Sequence, residues 1–175
     1  ATGIKRSLPD KLVFTYQGDG DIAAIGTSHA IHVAARGEKI TSIMVNNAVF
    51  GMTGGQMAPT TLSGMKTTTS PYGRDCSVFG QPIDLPKTIA TLNGAVYVAA
   101  GSVDTPKNIL QTKKYLKKAF QVQQMGLGFS FVSILSTCPT NWGLSPVDSL
   151  KWLQDNMIPI YELGELKVSE EVKAL

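Results

Sequence analysis

Short apolar runs, punctuated by glycine and proline, alternate along this chain with longer segments whose apolar positions recur at helical spacing. Leu12–Tyr16, a continuous and partly β-branched run after Pro9-Asp10, predicts a buried strand. Asp21–Ala35 predicts a helix, with Asp21 as N-cap, Ala23, Ala24, His29, Ala30, Ala34 and Ala35 giving small-residue faces, and Gly37 as its stop. Ile40–Val45 predicts a second strand. The stretch from Gly51 to Gly80 is dense in Gly, Thr, Pro and Ser and too long for an ordinary connection; such loops are usually functional or disordered. Asp84–Leu92 reads as a short helix stopped by Asn93-Gly94, and Ala95–Ala100 as a third strand. Thr105–Met125 reads as a long amphipathic helix capped by Thr105, with Pro106 in its first turn and Ile109, Leu110, Leu116, Phe120 and Val122 at apolar positions. Phe129–Leu135 gives a fourth strand, and Ser145-Pro146 opens a last helix that runs to about Met157, with Leu150, Trp152 and Leu153 toward the core. Strand and helix alternate throughout, without internal repeats. This predicts an α/β fold, a parallel sheet with helices on both faces.

Composition narrows the function classes. At 175 residues the chain fits a single domain with a real core. With 43% hydrophobic and 17% charged residues it carries no signature of disorder. The net charge is +3, and no Lys/Arg cluster is interleaved with aromatics, which argues against nucleic acid as a partner. No apolar stretch approaches the roughly 18 residues that a spanning helix needs, and no signal-peptide pattern opens the chain, so no membrane association is expected. Cys76 and Cys138 are too few for a disulfide framework, and a cytoplasmic location is the expectation. The opening Ala1-Thr2-Gly3-Ile4-Lys5 has neither an initiator Met nor a start signal for an element, which points to sequence upstream.

The chemistry concentrates at two strand ends. The first strand runs into Gly18-Asp19-Gly20-Asp21 and the second into Asn46-Asn47-Ala48-Val49, with 28 positions from Asp19 to Asn47. Two parallel strands ending side by side would gather the Asp19 carboxylate, the Asn47 amide oxygen and a backbone carbonyl near Val49 around one point. These are hard oxygen ligands, suited to Mg²⁺ holding a diphosphate rather than to zinc or copper. Glycines at 18 and 20 let a backbone approach a diphosphate closely, and the following helix offers its N-terminus to an anion. Open parallel sheets bind ligands beyond the carboxyl ends of their strands, where both motifs fall. The structural alternative is a strand-end turn in which Asp and Asn merely cap helices. The Rossmann fingerprint fails because position 23 is Ala and the next glycine is Gly26, and no P-loop sequence is present.

A GDG, a spacer of this length and then N or NN is similar to the cofactor motif of thiamine-diphosphate enzymes. The longer runs narrow the likeness: GDGD followed by Ile25-Gly26 and His29, then Asn46-Asn47-Ala48-Val49-Phe50-Gly51-Met52-Thr53-Gly54-Gly55-Gln56 and Pro59-Thr60-Thr61. With Ser70-Pro71-Tyr72-Gly73-Arg74-Asp75 and Leu135-Ser136-Thr137-Cys138-Pro139-Thr140-Asn141-Trp142-Gly143, the chain resembles the β subunit of 2-oxoacid:ferredoxin oxidoreductases over nearly its whole length. Phe50 stands where that family usually has Tyr.

The resemblance implies a thiamine-diphosphate-binding fold, with residues 1–175 as a single such domain. It implies that Asp19, Asn47 and the Val49 carbonyl bind Mg²⁺. Gly18, Gly20 and Asp21, with Thr53 and Gly54, would surround the diphosphate; Ile22, His29 and Gly51 belong to the same cofactor-binding set. Met52 would sit near the thiazolium and Gln56 near the substrate entrance. The family reaction converts a 2-oxoacid, coenzyme A and oxidised ferredoxin to acyl-CoA, carbon dioxide and reduced ferredoxin, the cofactor carrying the bond-breaking chemistry. The glutamate that activates the cofactor resembles one supplied by a partner, the pyrimidine-domain α subunit; γ and δ subunits, ferredoxin and coenzyme A complete the implied partners. Cys138 matches the last ligand of a [4Fe-4S] cluster, which normally needs four thiolates, and the three other cysteines are expected upstream of residue 1. Gly54 offers no cation where a Lys could pair with the distal carboxylate of 2-oxoglutarate, which leans toward 2-oxoisovalerate; 2-oxoglutarate, pyruvate and a non-catalytic binding or assembly module are the alternatives.

Other residues have plainer readings. His32 lies one turn from His29, Arg36 reads as a cap of the helix C-terminus, and Cys76 as a small loop residue. Lysines 113, 114, 117 and 118 form one helical face, solvated by default, with docking of acidic ferredoxin or of coenzyme A phosphates as the alternative.

Overall fold

In a computed structural model that describes residues 1–175, the chain forms α1 (Thr2–Ser7), β1 (Phe14–Gly18), α2 (Thr27–Ala35), β2 (Thr41–Asn46), β3 (Val49–Phe50), β4 (Gln56–Met57), α3 (Cys76–Phe79), α4 (Leu85–Ala90), β5 (Ala95–Ser102), α5 (Pro106–Gln124), β6 (Phe129–Leu135), α6 (Pro139–Trp142), α7 (Pro146–Trp152), β7 (Gly164–Val168) and α8 (Glu170–Lys173). The main sheet has the order β1-β2-β6-β5-β7. Its first four strands are parallel, and β7 runs antiparallel to β5. Alternate residues of the central strands feed two cores. Met44, Phe129 and Phe131 pack with Ala30 and Ala34 of α2 and Leu85 and Ile89 of α4 on one face. Ile43, Val132 and Ile134 pack with Ala119 and Val122 of α5 on the other. The predicted two-faced parallel sheet is therefore present, with one antiparallel edge added.

That edge strand had no apolar run to announce it, because alternate positions are charged. Glu165 accepts a bond from Tyr97 Oη at 2.9 Å and pairs with Lys118 Nζ at 3.0 Å. Strand β7 is thus joined to β5 and α5 by polar side chains as well as by its ladder.

Two expectations are corrected at the start of the sheet. The run Leu12–Tyr16 predicts a buried strand, but β1 is the sheet edge, and Phe14 and Tyr16 are 52% and 69% exposed. An edge strand has a neighbour on one side only, and the periodicity of its apolar residues carries no information about position in the sheet. Asp21 is not an N-cap of a continuous helix. Residues Asp21–Ile25 form a π turn, closed by a bond from Gly26 N to Asp21 O at 2.7 Å, and the Asp21 carboxylate accepts instead from Gln17 Nε2 at 3.0 Å. The wider turn inserts a residue before α2 and re-aims the first turn after Gly20, a distortion that recurs at functional sites.

The edge strand is fixed to the rest of the fold by a buried glutamine. Gln123 on α5 accepts from Val13 N at 2.7 Å and donates to Val13 O and Thr41 Oγ1, each at 2.9 Å. Register then places the two motifs. Gly18 is opposite Val45 and Asn46 is opposite Leu135, so the carboxyl ends of β1, β2 and β6 finish side by side.

Candidate active site

Beyond those strand ends lies an open cavity of about 260 Å³ lined by Gly18, Asp19, Gly20, Asp21, Asn47, Val49, Phe50, Gly51, Met52 and Thr53. Asp19 is the buried acid of this group, 1% exposed. Its Oδ2 accepts a bond from Thr60 Oγ1, and no Lys, Arg or His side chain pairs with it. Burial pushes its carboxyl up to about 6, against the opposing pull of the Thr60 hydroxyl and of backbone bonds at Gly20, Asp19 and Asn47.

The Asn46-Asn47 pair divides its work. Asn46 is buried and its Oδ1 accepts from Ala48 N at 3.0 Å, while Asn47 Oδ1 accepts from Val49 N at 3.2 Å. Asn47 Oδ1 keeps a second lone pair for a ligand. Ala48, which follows the pair, has φ of 61°, a left-handed conformation that costs a non-glycine residue of order 1–3 kcal/mol and recurs at functional sites. Thr61 holds it there: Thr61 Oγ1 donates to Ala48 O at 2.5 Å and accepts from Ala58 N at 2.8 Å. Replacing Asn46 by Ala leaves the buried Ala48 N–H without a partner in this strained turn. The expected loss is about 1–3 kcal/mol, read as a lower urea midpoint.

The donor set fits a hard divalent cation. A buried carboxylate without a cationic partner stands beside a carboxamide oxygen and the Asn47–Val49 backbone. The glycines differ in purpose. A Cβ added at Gly18 would meet nothing within 4 Å, so the space in front of it belongs to the cavity, whereas a Cβ at Gly20 would strike the Phe50 ring at 2.5 Å. Gly20 is therefore required by the protein's own packing.

Not every residue of the predicted set lines this cavity. Ile22 does not line it: its side chain is buried in the core with Ala23. His29 is exposed one turn further along, in a neighbouring groove of about 490 Å³ that shares only Asp21 with the cavity. Met52 stands at the rim, 99% exposed. Gly54 has φ of 108° at the tip of the β3–β4 hairpin. Gln56 folds back on Thr53, its Nε2 donating to Thr53 O and its Oε1 accepting from Thr53 Oγ1, both at 2.7 Å. Cys138 lies behind Gly51, at the start of α6.

Sequence reasoning missed the residues that hold the site from behind. Arg74 is buried, and its guanidinium donates to the carbonyls of Ala58, Pro59, Thr61, Phe79, Gly80 and Gln81 at 2.8 to 3.2 Å. One side chain thereby organises both limbs of the long 51–80 loop and sets Thr60 and Thr61 beneath Asp19 and Ala48. Tyr161 Oη adds a bond to Thr60 O at 2.5 Å. Arg74, Thr60 and Thr61 stood within the quoted motifs and Tyr161 in none, and spacing gave no sign of what any of them touches.

Comparison with known proteins agrees with this architecture. Residues 1–134 match the family model of the thiamine pyrophosphate enzyme C-terminal TPP-binding domain, and the chain belongs to that family. It is 43% identical over 156 residues to the ketoisovalerate oxidoreductase subunit VorA of Methanothermobacter thermautotrophicus, covering 89% of this chain and 33% of that one. It is 40% identical over 175 residues to the 2-oxoglutarate synthase subunit KorB of Methanocaldococcus jannaschii, covering 97% of this chain and 60% of the relative. Among solved structures it resembles a 2-oxoglutarate:ferredoxin oxidoreductase from Magnetococcus marinus with 2-oxoglutarate, coenzyme A and succinyl-CoA bound. There the TM-score is 0.68 at 30% identity, over 89% of this chain and 48% of the other. The chain thus spans between a third and three fifths of the length of these relatives. No helix is long and apolar enough to cross a membrane.

Proposed function

We propose that this chain holds the Mg²⁺-diphosphate end of thiamine diphosphate in an enzyme that oxidatively decarboxylates a 2-oxoacid to an acyl-CoA and carbon dioxide, with ferredoxin as electron acceptor. The observation that carries the reading is the buried Asp19 carboxylate, without a cationic partner, beside Asn47 at the carboxyl ends of two parallel strands. Asp19 Oδ, Asn47 Oδ1 and the Val49 carbonyl would hold the cation. The backbones of Gly18, Gly20, Asp21, Gly51 and Thr53 would face the diphosphate. Bound there, the thiazolium would supply an electron sink for loss of carbon dioxide; the chain's own residues would fix the cofactor's position, and the cation they hold would offset the diphosphate charge in a cavity without Lys or Arg.

The activating glutamate is proposed to come from a pyrimidine-domain α subunit, with γ and δ subunits, coenzyme A and ferredoxin as the remaining partners. Two cysteines, distant from one another in the sequence, cannot supply a [4Fe-4S] cluster, and no group of three or more His, Cys, Asp or Glu residues converges in the chain. Cys138 is proposed as one cluster ligand whose companions lie outside these 175 residues. Similarity to both ketoisovalerate and 2-oxoglutarate relatives leaves the substrate open between them, and the cation-free hairpin tip at Gly54 supports 2-oxoisovalerate.

Titration of thiamine diphosphate, followed through tryptophan fluorescence, tests the cofactor reading, because Trp142, packed against the other tryptophan, Trp152, donates from Nε1 to Asn47 O at 3.1 Å. Saturable binding that requires Mg²⁺ and disappears in Asp19→Ala is expected. Absence of Mg²⁺-dependent binding, even with the pyrimidine-side partner added, would sink it. Assay of the whole complex with pyruvate, 2-oxoisovalerate and 2-oxoglutarate identifies the substrate, with 2-oxoisovalerate expected to give the highest kcat/KM.

A further inference from the structure

One side chain joins the cavity loop to the Cys138 segment. Asn141 on α6 donates from Nδ2 to Gly51 O at 3.0 Å and to Cys138 Sγ at 3.1 Å. Its carboxamide also lies over Gly55, where an added Cβ would meet Asn141 Oδ1 at 2.8 Å. Gly51 is the spacer between the two centres: a Cβ placed there would be 3.3 Å from Asn47 Nδ2 and 3.5 Å from Cys138 Sγ. The neighbouring Trp142 reaches Asn47 O from the same short helix. The two hydrogens on Asn141 Nδ2 are fixed in one plane. The amide therefore satisfies the Gly51 carbonyl and the sulfur together only in one orientation, and movement of the 51–55 backbone changes the bond to sulfur.

We infer that Asn141 is a positioning residue that couples occupancy of the Asp19–Asn47 site to the surroundings of the Cys138 sulfur. The inference rests on the diphosphate reading of that site. A diphosphate held by the Gly51 and Thr53 backbones fixes the 51–55 loop, the loop fixes the Asn141 amide, and the amide screens the sulfur. Simple occlusion of Cys138 by the ligand would act without Asn141, which gives the test its contrast.

Both cysteines are free thiols, so alkylation can be followed residue by residue by mass spectrometry, with Cys76 as internal reference. Thiamine diphosphate with Mg²⁺ is the probe, and tryptophan fluorescence reports binding independently of alkylation. In the unaltered chain, saturating probe is expected to slow alkylation of Cys138 by about fivefold or more, with the same midpoint as the fluorescence change and no effect on Cys76. In Asn141→Ala, and in Asn141→Asp, which keeps the shape but has no N–H to donate, binding persists and the slowing of Cys138 is lost. The aspartate variant carries the test where the alanine variant is poorly folded by circular dichroism. Binding without any change at Cys138, or equal slowing in the variants, overturns the coupling. Absence of binding in the unaltered chain, even with the pyrimidine-side partner added, instead removes the diphosphate reading, and the coupling with it.

Discussion

Replacing Asp19 by Asn is expected to separate affinity from stability: Mg²⁺-dependent binding of thiamine diphosphate falls by at least about a hundredfold, while the ligand-free chain becomes more stable above pH 6. The sign follows from burial. The folded-state carboxyl is raised from 3.8 to about 6, so the folded chain holds this proton to higher pH than the unfolded chain does. Below the unfolded value the acid is neutral in both states and costs nothing. Stability then declines as pH rises through the folded value, and the whole penalty is present at neutral pH. At about 1.4 kcal/mol per pH unit, a shift of this size sets a ceiling of roughly 3 kcal/mol. The amide has one acceptor fewer than the carboxylate, so a gain of roughly 1–3 kcal/mol is expected. Urea midpoints of the two proteins, measured without ligand, should nearly coincide at pH 4 and diverge by pH 7. Parallel pH profiles would show that the carboxylate is not penalised by its surroundings. The strain is the physical basis of the site, since a cation that neutralises Asp19 binds the folded state alone and returns the lost stability by mass action.

The second large effect is expected at Arg74. Arg74→Met removes six hydrogen bonds to carbonyls on two limbs of the 51–80 loop and leaves several of those oxygens buried without donors. A loss of about 3–5 kcal/mol is expected, which for a chain of this length lowers Tm by roughly 10 °C. Arg74→Lys should recover only a small part, because an ammonium has three donors and lacks the flat fork that spans two groups of carbonyls. Affinity for thiamine diphosphate should fall in the same variants, since Thr60 and Thr61 lose the backbone that places them under Asp19 and Ala48. A Tm within 2–3 °C of the parent would mean that the loop is organised by its turns and hairpin alone.

These two residues mark how much was legible before the structure. Asp19 announced itself because its signal is local: glycines on both sides, an apolar run before it, and a carboxamide pair at the end of the next such run. Arg74 did not, because its acceptors lie between 5 and 16 positions away and share no period with it. Thr60, 41 positions from Asp19, was equally silent. The edge position of β1 could not be read either, since an apolar run looks the same with one neighbour or two. The π turn was hidden for a related reason: a helical pattern tolerates one inserted residue, and only the closure from Gly26 to Asp21 reveals it.

The sequence by itself determined the alternation of strand and helix, the two-faced sheet and the strand-end placement of Asp19 and Asn47, because side-chain periods of 2 and 3.6 and the turn chemistry of Gly and Asn are properties of neighbouring residues. Only the tertiary structure decided what makes those residues a site. It buried Asp19 without a counter-charge, set Ala48 in a left-handed turn, gave Gly20 to the Phe50 ring, and tied the loop to Arg74 on one side and to Asn141 and Cys138 on the other. Burial, strain and shared hydrogen bonds are properties of residues brought together from distant parts of the chain, and they exist only once it has folded.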